Sequence, residues 1–167
     1  IVETDNGELY MVFINTGNVY VAYSQDTVSD WSWITPVTTD GNWSQPAIAL
    51  TSGGRIEIRA SQTVAGVASL YRMWSTDHGV TFGPLSAGIL APQYLMASTQ
   101  GKIRTACGGS MMDMAFVPDS GTTGPGTFQC RFSADGETWS GWYTPQNDSG
   151  SNLRSDGSGF GHDRGAE

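Results

Sequence analysis

The chain has 167 residues, 38% hydrophobic and 14% charged, with 22 glycines, six tryptophans and a formal charge of −8. That composition suits a folded core rather than a disordered chain, and sixteen acidic against eight basic residues exclude a phosphate-binding stripe, so no nucleic-acid partner is expected. No run of 18 apolar residues occurs, so no membrane span is expected, and abundant Gly, Ser and Thr favour strands and tight turns over helices.

Alternating runs bounded by turn residues predict four-stranded repeats. The first repeat lacks most of its opening strand and continues over 8–14, 18–24 and 31–37. The second runs over 46–51, 55–61, 68–75 and 81–85. The third is predicted at 93–98, 102–107, 127–133 and 138–144. Gly7, Gly54 and Gly101 lie 47 residues apart, each before a similar run, and Ser75 and Ser133 are each followed 26 residues later by a glycine, Gly101 or Gly159. Fixed periods of this size mark radially repeated units, so the predicted fold is an all-β propeller of four-stranded antiparallel blades, about 1–44, 45–91 and 92–145. A β-sandwich is the structural alternative. Residues 146–167 read as a partial strand of a fourth blade and a polar tail.

The segments Ser75-Thr76-Asp77-His78-Gly79-Val80-Thr81-Phe82 and Ser133-Ala134-Asp135-Gly136-Glu137-Thr138-Trp139 are two copies of one turn. They resemble the Asp box of sialidases and related BNR-repeat propellers, and Ser24-Gln25-Asp26 looks like a degenerate copy. An Asp carboxylate can accept turn N–H groups, Gly supplies positive φ, the hydroxyls tie the turn to itself and the aromatic ring packs between strands. The boxes are therefore read as structural, with Ser75, Asp77, Gly79, Thr81, Phe82, Ser133, Asp135, Gly136, Thr138 and Trp139 as fasteners. In the family the box lies away from the catalytic face. A weaker resemblance, carried by Asn42-Trp43-Ser44 with Pro46 to Ala49 and Gly54 to Glu57, and by Trp139-Ser140-Gly141-Trp142, is to bacterial propeller lectins.

A sialidase resemblance implies three arginines on the substrate carboxylate, a Tyr–Glu nucleophile, an Asp acid/base and an Arg-Ile-Pro motif. That motif is absent. Arg59, Arg104 and Arg154 occupy unequal places in their repeats, and the alternative role for each is a strand residue pairing with Glu57 or a nearby Asp. The candidate carbohydrate contacts are Trp43, Arg59, Tyr94, Arg104 and Asp113, with blade packing as the alternative role of Trp43 and Tyr94. Segment 108–126 reads as an insertion between the second and third strands of its blade, whose Met111, Met112, Met114 and Phe116 would cover a neighbouring blade or a partner. Asp113 among these methionines would have its pKa raised by an apolar setting. No catalytic residue, metal or cofactor is assigned, since neither histidine has ligand-type neighbours at metal spacing and no phosphate loop or nucleophile elbow occurs.

Cys107 and Cys130 lie at the ends of the insertion, either bridged across a loop of about 24 residues, which would stabilise by roughly 3 kcal/mol, or as two buried free thiols. Low Lys content with abundant Gly, Ser, Thr and Trp favours an extracellular setting. Three blades do not close a ring, so either the chain is part of a longer polypeptide, as its start at Ile1 suggests, or it self-associates. The expected function is a non-catalytic extracellular or virion-surface module that binds a glycan or glycoprotein or mediates assembly. The alternatives are a fragment of a sialidase-like exo-glycosidase and a structural repeat subunit of a larger particle or filament.

Overall fold

A computed structural model of the chain describes residues 1–25, 30–33, 36–51, 53–86, 89–90, 92–97, 100–105, 111–117 and 127–144. Among them the strands build three main antiparallel sheets. The first sheet contains β1 (Val2–Glu3), β2 (Leu9–Asn15), β3 (Asn18–Ser24) and β4 (Ser32–Trp33) in sequential order. Its β2–β3 hairpin turns at Thr16-Gly17, and the next hairpin at Ala65-Gly66. Both residues of each turn have positive φ (46° and 76°, then 50° and 80°), the geometry whose twist matches paired strands. Among the described residues no helix is long and apolar enough to cross a membrane.

In the second sheet, β5 (Trp43–Leu50), β6 (Ile56–Val64) and β7 (Val67–Ser75) follow the predicted order. The outer strand is interrupted. Gly83 exchanges two backbone hydrogen bonds with Trp74, at 2.9 and 2.7 Å, and the chain then makes a small hairpin of β8 (Leu85–Ser86) and β9 (Ile89–Leu90). It returns to β7 as β10 (Gln93–Ala97), with Gln93 opposite Arg72 and Ala97 opposite Ser69.

That interruption shifts the third repeat. The strand expected to open the third blade at 93–98 instead completes the second, and β11 (Gln100–Thr105) opens the third sheet. β12 (Met111–Val117) follows, then β13 (Thr127–Ser133), with Tyr143 bridging Cys130 at the outer edge. Segment 108–126, expected as one long loop, thus carries a full strand. Gly101 lies inside β11 and is no counterpart of Gly7 and Gly54. The equivalent positions are Leu9, Ile56 and Met111, each opposite the turn-opening Ser24, Ser75 or Ser133. Expected strand 102–107 is accordingly the first strand of its blade rather than the second. The partial fourth blade at 146–167 lies outside the described residues.

The two faces of the second sheet bury different chemistry. Ile48, Leu50, Ile56, Ile58, Ala60, Met73 and Phe82 join Tyr10, Val19, Val21 and Val37 of the first blade in one apolar core. Removing that surface from water is the main force holding these two blades together. On the opposite face Ala47 and Ala49 meet Met111 of the third blade and the partly buried Trp139, so Met111 does cover a neighbouring blade. Beside them the same interface buries the charged Glu57, Arg59 and Asp113.

The expected Cys107–Cys130 bridge does not form, since Cys130 is a buried free thiol. β12 lies between β11 and β13, with Met114 opposite Cys130, so β11 and β13 are not neighbours in the sheet. Cys107 itself falls outside the described residues.

Candidate functional site

The alternation Ile56-Glu57-Ile58-Arg59-Ala60 sends isoleucines to one face of β6 and Glu57 and Arg59 to the other. An exposed face would leave these charges in water. Here the third blade covers them, and Glu57, Arg59 and Asp113 are all fully buried.

Burial of charge demands partners, and every carboxylate oxygen of this cluster has them. Arg59 grips Asp113 with both arms of its fork, Nε to Oδ1 at 2.8 Å and Nη2 to Oδ2 at 3.1 Å. Its Nη1 donates to Glu57 Oε2 at 2.8 Å. Arg72, across from Arg59 on β7, donates from Nε to Glu57 Oε2 at 2.9 Å and from Nη2 to Oε1 at 2.6 Å. Its Nη2 also donates to the Gly136 carbonyl of the third blade. Arg55 Nε approaches Glu57 Oε1 to 2.8 Å, and Arg131 places Nε and Nη2 at 2.8 and 2.7 Å from Asp113 Oδ2. Burial lowers the pKa of Arg131 from its ordinary value, an effect that the charge of Asp113 opposes.

Tryptophan rings lie against the guanidinium groups. The Arg131 guanidinium lies 4.5 Å from the Trp139 ring and 4.8 Å from the Trp142 ring, while Arg72 lies 4.6 Å from Trp74. Arg59 and Arg72 also approach Trp139, at 5.2 and 5.6 Å. Negative ring faces offset part of the like-charge repulsion among the arginines. The cluster clamps two blades together. Each oxygen of Glu57 and Asp113 is engaged by at least one guanidinium, out of contact with solvent.

The two signature turns fasten themselves. Ser75 Oγ donates to Asp77 Oδ1 at 2.7 Å and accepts from Gly79 N at 2.8 Å, while Thr81 donates to Asp77 from N at 2.9 Å and from Oγ1 at 2.6 Å. In the second copy Ser133 Oγ donates to Asp135 at 2.9 Å, which also accepts from the backbone of Glu137 and Thr138 at 2.8 and 2.7 Å. Bonds from Thr81 hold the Asp77 carboxyl down to about 2, and bonds from the Thr138 and Glu137 amides do the same for Asp135. Phe82 is buried in the apolar core, and Gly136 has a φ of +76° where a Cβ would strike Thr51.

The sequence-predicted ligand contacts divide. Arg59 and Asp113 are brought together but satisfy each other out of solvent, which corrects their assignment as sugar contacts. Asp113 is surrounded by arginines rather than the apolar setting expected from its methionine neighbours. Trp43 is 3% exposed, donates from Nε1 to Asp40 at 2.6 Å and meets Tyr71 edge-on at 5.3 Å, so it is a packing residue. Tyr94, on β10 at the outer edge of the second sheet, is 56% exposed and stacks edge-on against Tyr71. Arg104 lies on β11, with its side chain outside the described set, and Arg154 is wholly outside it. Sequence reading missed Arg72, Arg131 and the cation-stacking role of Trp139, although the charges alternating with isoleucines on β6 were the available signal. A polar hollow of about 270 Å³ lined by Tyr23, Gln25, Asp30 and Ser32 sits on the outer part of the first blade. Among the described residues no group of three or more His, Cys, Asp or Glu is placed to hold a metal.

Neither a protein-family model nor a curated protein sequence matches the chain. Solved structures do. The chain superposes on an α-L-arabinanase of Penicillium chrysogenum complexed with arabinobiose with a TM-score of 0.66 at 14% identity, covering 86% of this chain and 47% of that one. It is similar to an α-L-arabinofuranosidase of Fusarium graminearum in complex with an iminosugar inhibitor (TM-score 0.61, 14% identity, 86% and 46% covered). It also resembles a protein of unknown function from Dyadobacter fermentans (TM-score 0.59, 17% identity, 83% and 51% covered). These likenesses establish the fold, an all-β propeller built of antiparallel blades. The chain spans about half the length of these structures.

Proposed function

We propose that this chain is a glycan-binding propeller module that performs no hydrolysis itself, acting outside the cell or on a virion surface. The observation that carries the reading is its superposition on an arabinanase complexed with arabinobiose over 86% of its length. The non-catalytic part rests on the buried carboxylates, since Glu57 and Asp113 are held on both oxygens by arginines. The self-fastened Ser-x-Asp turns support an Asp-box type of propeller, with sialidase-like blades as its finer description. Assembly with a second copy, or with the remainder of a longer chain, would complete the ring.

A second reading is favoured by the length match, because a chain spanning about half of two glycosidases is also what part of such an enzyme would be. One experiment separates them. The 167-residue chain is applied to a glycan array carrying arabino-oligosaccharides and sialosides, and in parallel given fluorogenic arabinofuranoside and sialoside substrates. Binding without turnover is expected. Turnover that persists in the purified chain overturns the non-catalytic reading, and an array without hits overturns glycan binding.

A further inference from the structure

The innermost strand of the second blade contains a bulge with a non-glycine residue at positive φ. Ser44 pairs with Ser61, but Ala47 pairs with Arg59, so Gln45 and Pro46 together face the single residue Ala60. Gln45 has a φ of +50° and an exposed side chain. The first residue of such a bulge with positive φ is ordinarily glycine, which alone adopts that conformation without steric penalty. Pro46 has no N–H to return to the ladder, which fixes the irregularity in place.

Position gives the bulge its meaning. β5 is an edge strand of its sheet and touches β1 and β11 of the adjacent blades, the side on which the inner strands gather. Its first residue is tied to the Thr16-Gly17 turn through Trp43 N to Gly17 O at 2.9 Å. This is the end of the blades opposite the fastened turns at Ser75 and Ser133. The strained residue is held by a stiff frame. Asp40 accepts from both Trp43 Nε1 and Gln62 Nε2, at 2.6 and 2.7 Å, and Thr63 N donates to Asn42 O at 3.0 Å. Non-glycine residues in this backbone region persist where the surroundings over-determine them, and they gather at ligand sites.

We propose that Gln45 is a sugar-contacting residue, its carboxamide held out from the edge strand β5 by the bulge to donate to one hydroxyl and accept from its neighbour. A carboxamide offers two donors and one acceptor oxygen, which suits adjacent hydroxyls of a pyranose or furanose ring. The proposal rests on the glycan-binding reading above.

The test uses the full chain with arabinobiose and sialyllactose as probes, measured by calorimetric titration, alongside thermal unfolding. Gln45→Gly relieves the backbone and removes the amide, so its Tm rises by roughly 2–4 °C while affinity for the probe that wild type binds falls about tenfold or more. Gln45→Ala keeps the strain and removes the amide, so affinity falls equally with little change in Tm. Affinity unchanged in both variants overturns the assignment of Gln45 and leaves the glycan reading standing. A wild-type chain that binds neither probe and no array glycan overturns the glycan reading itself, and this assignment with it.

Discussion

Asp113→Asn is the most direct probe of how the second and third blades are joined. Asp113 is fully buried and receives four contacts between 2.7 and 3.1 Å from Arg59 and Arg131. Asparagine keeps the shape but removes the charge, leaving one acceptor oxygen and turning an amide N–H toward guanidinium donors. Of the cluster's two buried acidic charges only Glu57 then remains among Arg55, Arg59, Arg72 and Arg131. Breaking one partner of a buried ion pair costs about 3–5 kcal/mol, against a total stability of about 5–15 kcal/mol for an ordinary domain. With a urea slope of about 2 kcal/mol/M, the midpoint falls by roughly 2 M. Tryptophan fluorescence follows the transition, with Trp139 and Trp142 reporting from beside the cluster. The double variant Arg59→Met with Asp113→Leu exchanges a charge pair for apolar contacts, and is expected to lose less than Asp113→Asn alone. A loss below about 1 kcal/mol for Asp113→Asn, or a double-variant loss equal to the sum of the two single losses, refutes the clamp.

Three further expectations follow from the turns and the core. Asp77 and Asp135 have folded pKa values of about 2 against an ordinary 3.8, so their contribution is present above pH 4 and lost as pH falls from about 4 to 2. Asp77→Asn and Asp135→Asn should therefore destabilise at pH 7 but converge with wild type near pH 2, as read by urea midpoints across that range; parallel curves would refute the fastening role. Burial pushes the Cys130 thiol up to about 11, so iodoacetamide at pH 8 should leave it unmodified in the folded chain and alkylate it in urea, as resolved by peptide mass. Gly136→Ala combines a φ of +76° with a Cβ placed 2.6 Å from Thr51 Cγ2 and 3.2 Å from Met111 Sδ, and should cost about 2–3 kcal/mol in urea unfolding. Gly7→Ala, with φ of +80° and open space, should cost only about 1 kcal/mol.

The sequence by itself determined the local parts of this protein. Glycines, hydroxyl residues and aspartates placed the turns at Ser75 and Ser133, because their hydrogen bonds close within a few residues of chain. Alternation placed β2 and β3 of the first blade and β5 to β7 of the second for the same reason. In the third it placed Thr127–Ser133 but missed β12, which lies in a methionine-rich segment flanked by glycines. The β8–β9 excursion also moved the strand at Gln93–Ala97 from one blade to another.

Pairing across sheets was decided only by the tertiary structure. A charged face on β6 reads the same whether water or another blade covers it. Arg59 and Asp113 are 54 residues apart in the chain, and nothing local records that they meet. Their burial turned two candidate sugar contacts into an interblade clamp. The bulge at Gln45 was equally silent, since no glycine marks its positive φ. Only the pairing register against β6 exposes it, because strain of this kind is imposed by surroundings rather than chosen by the residue.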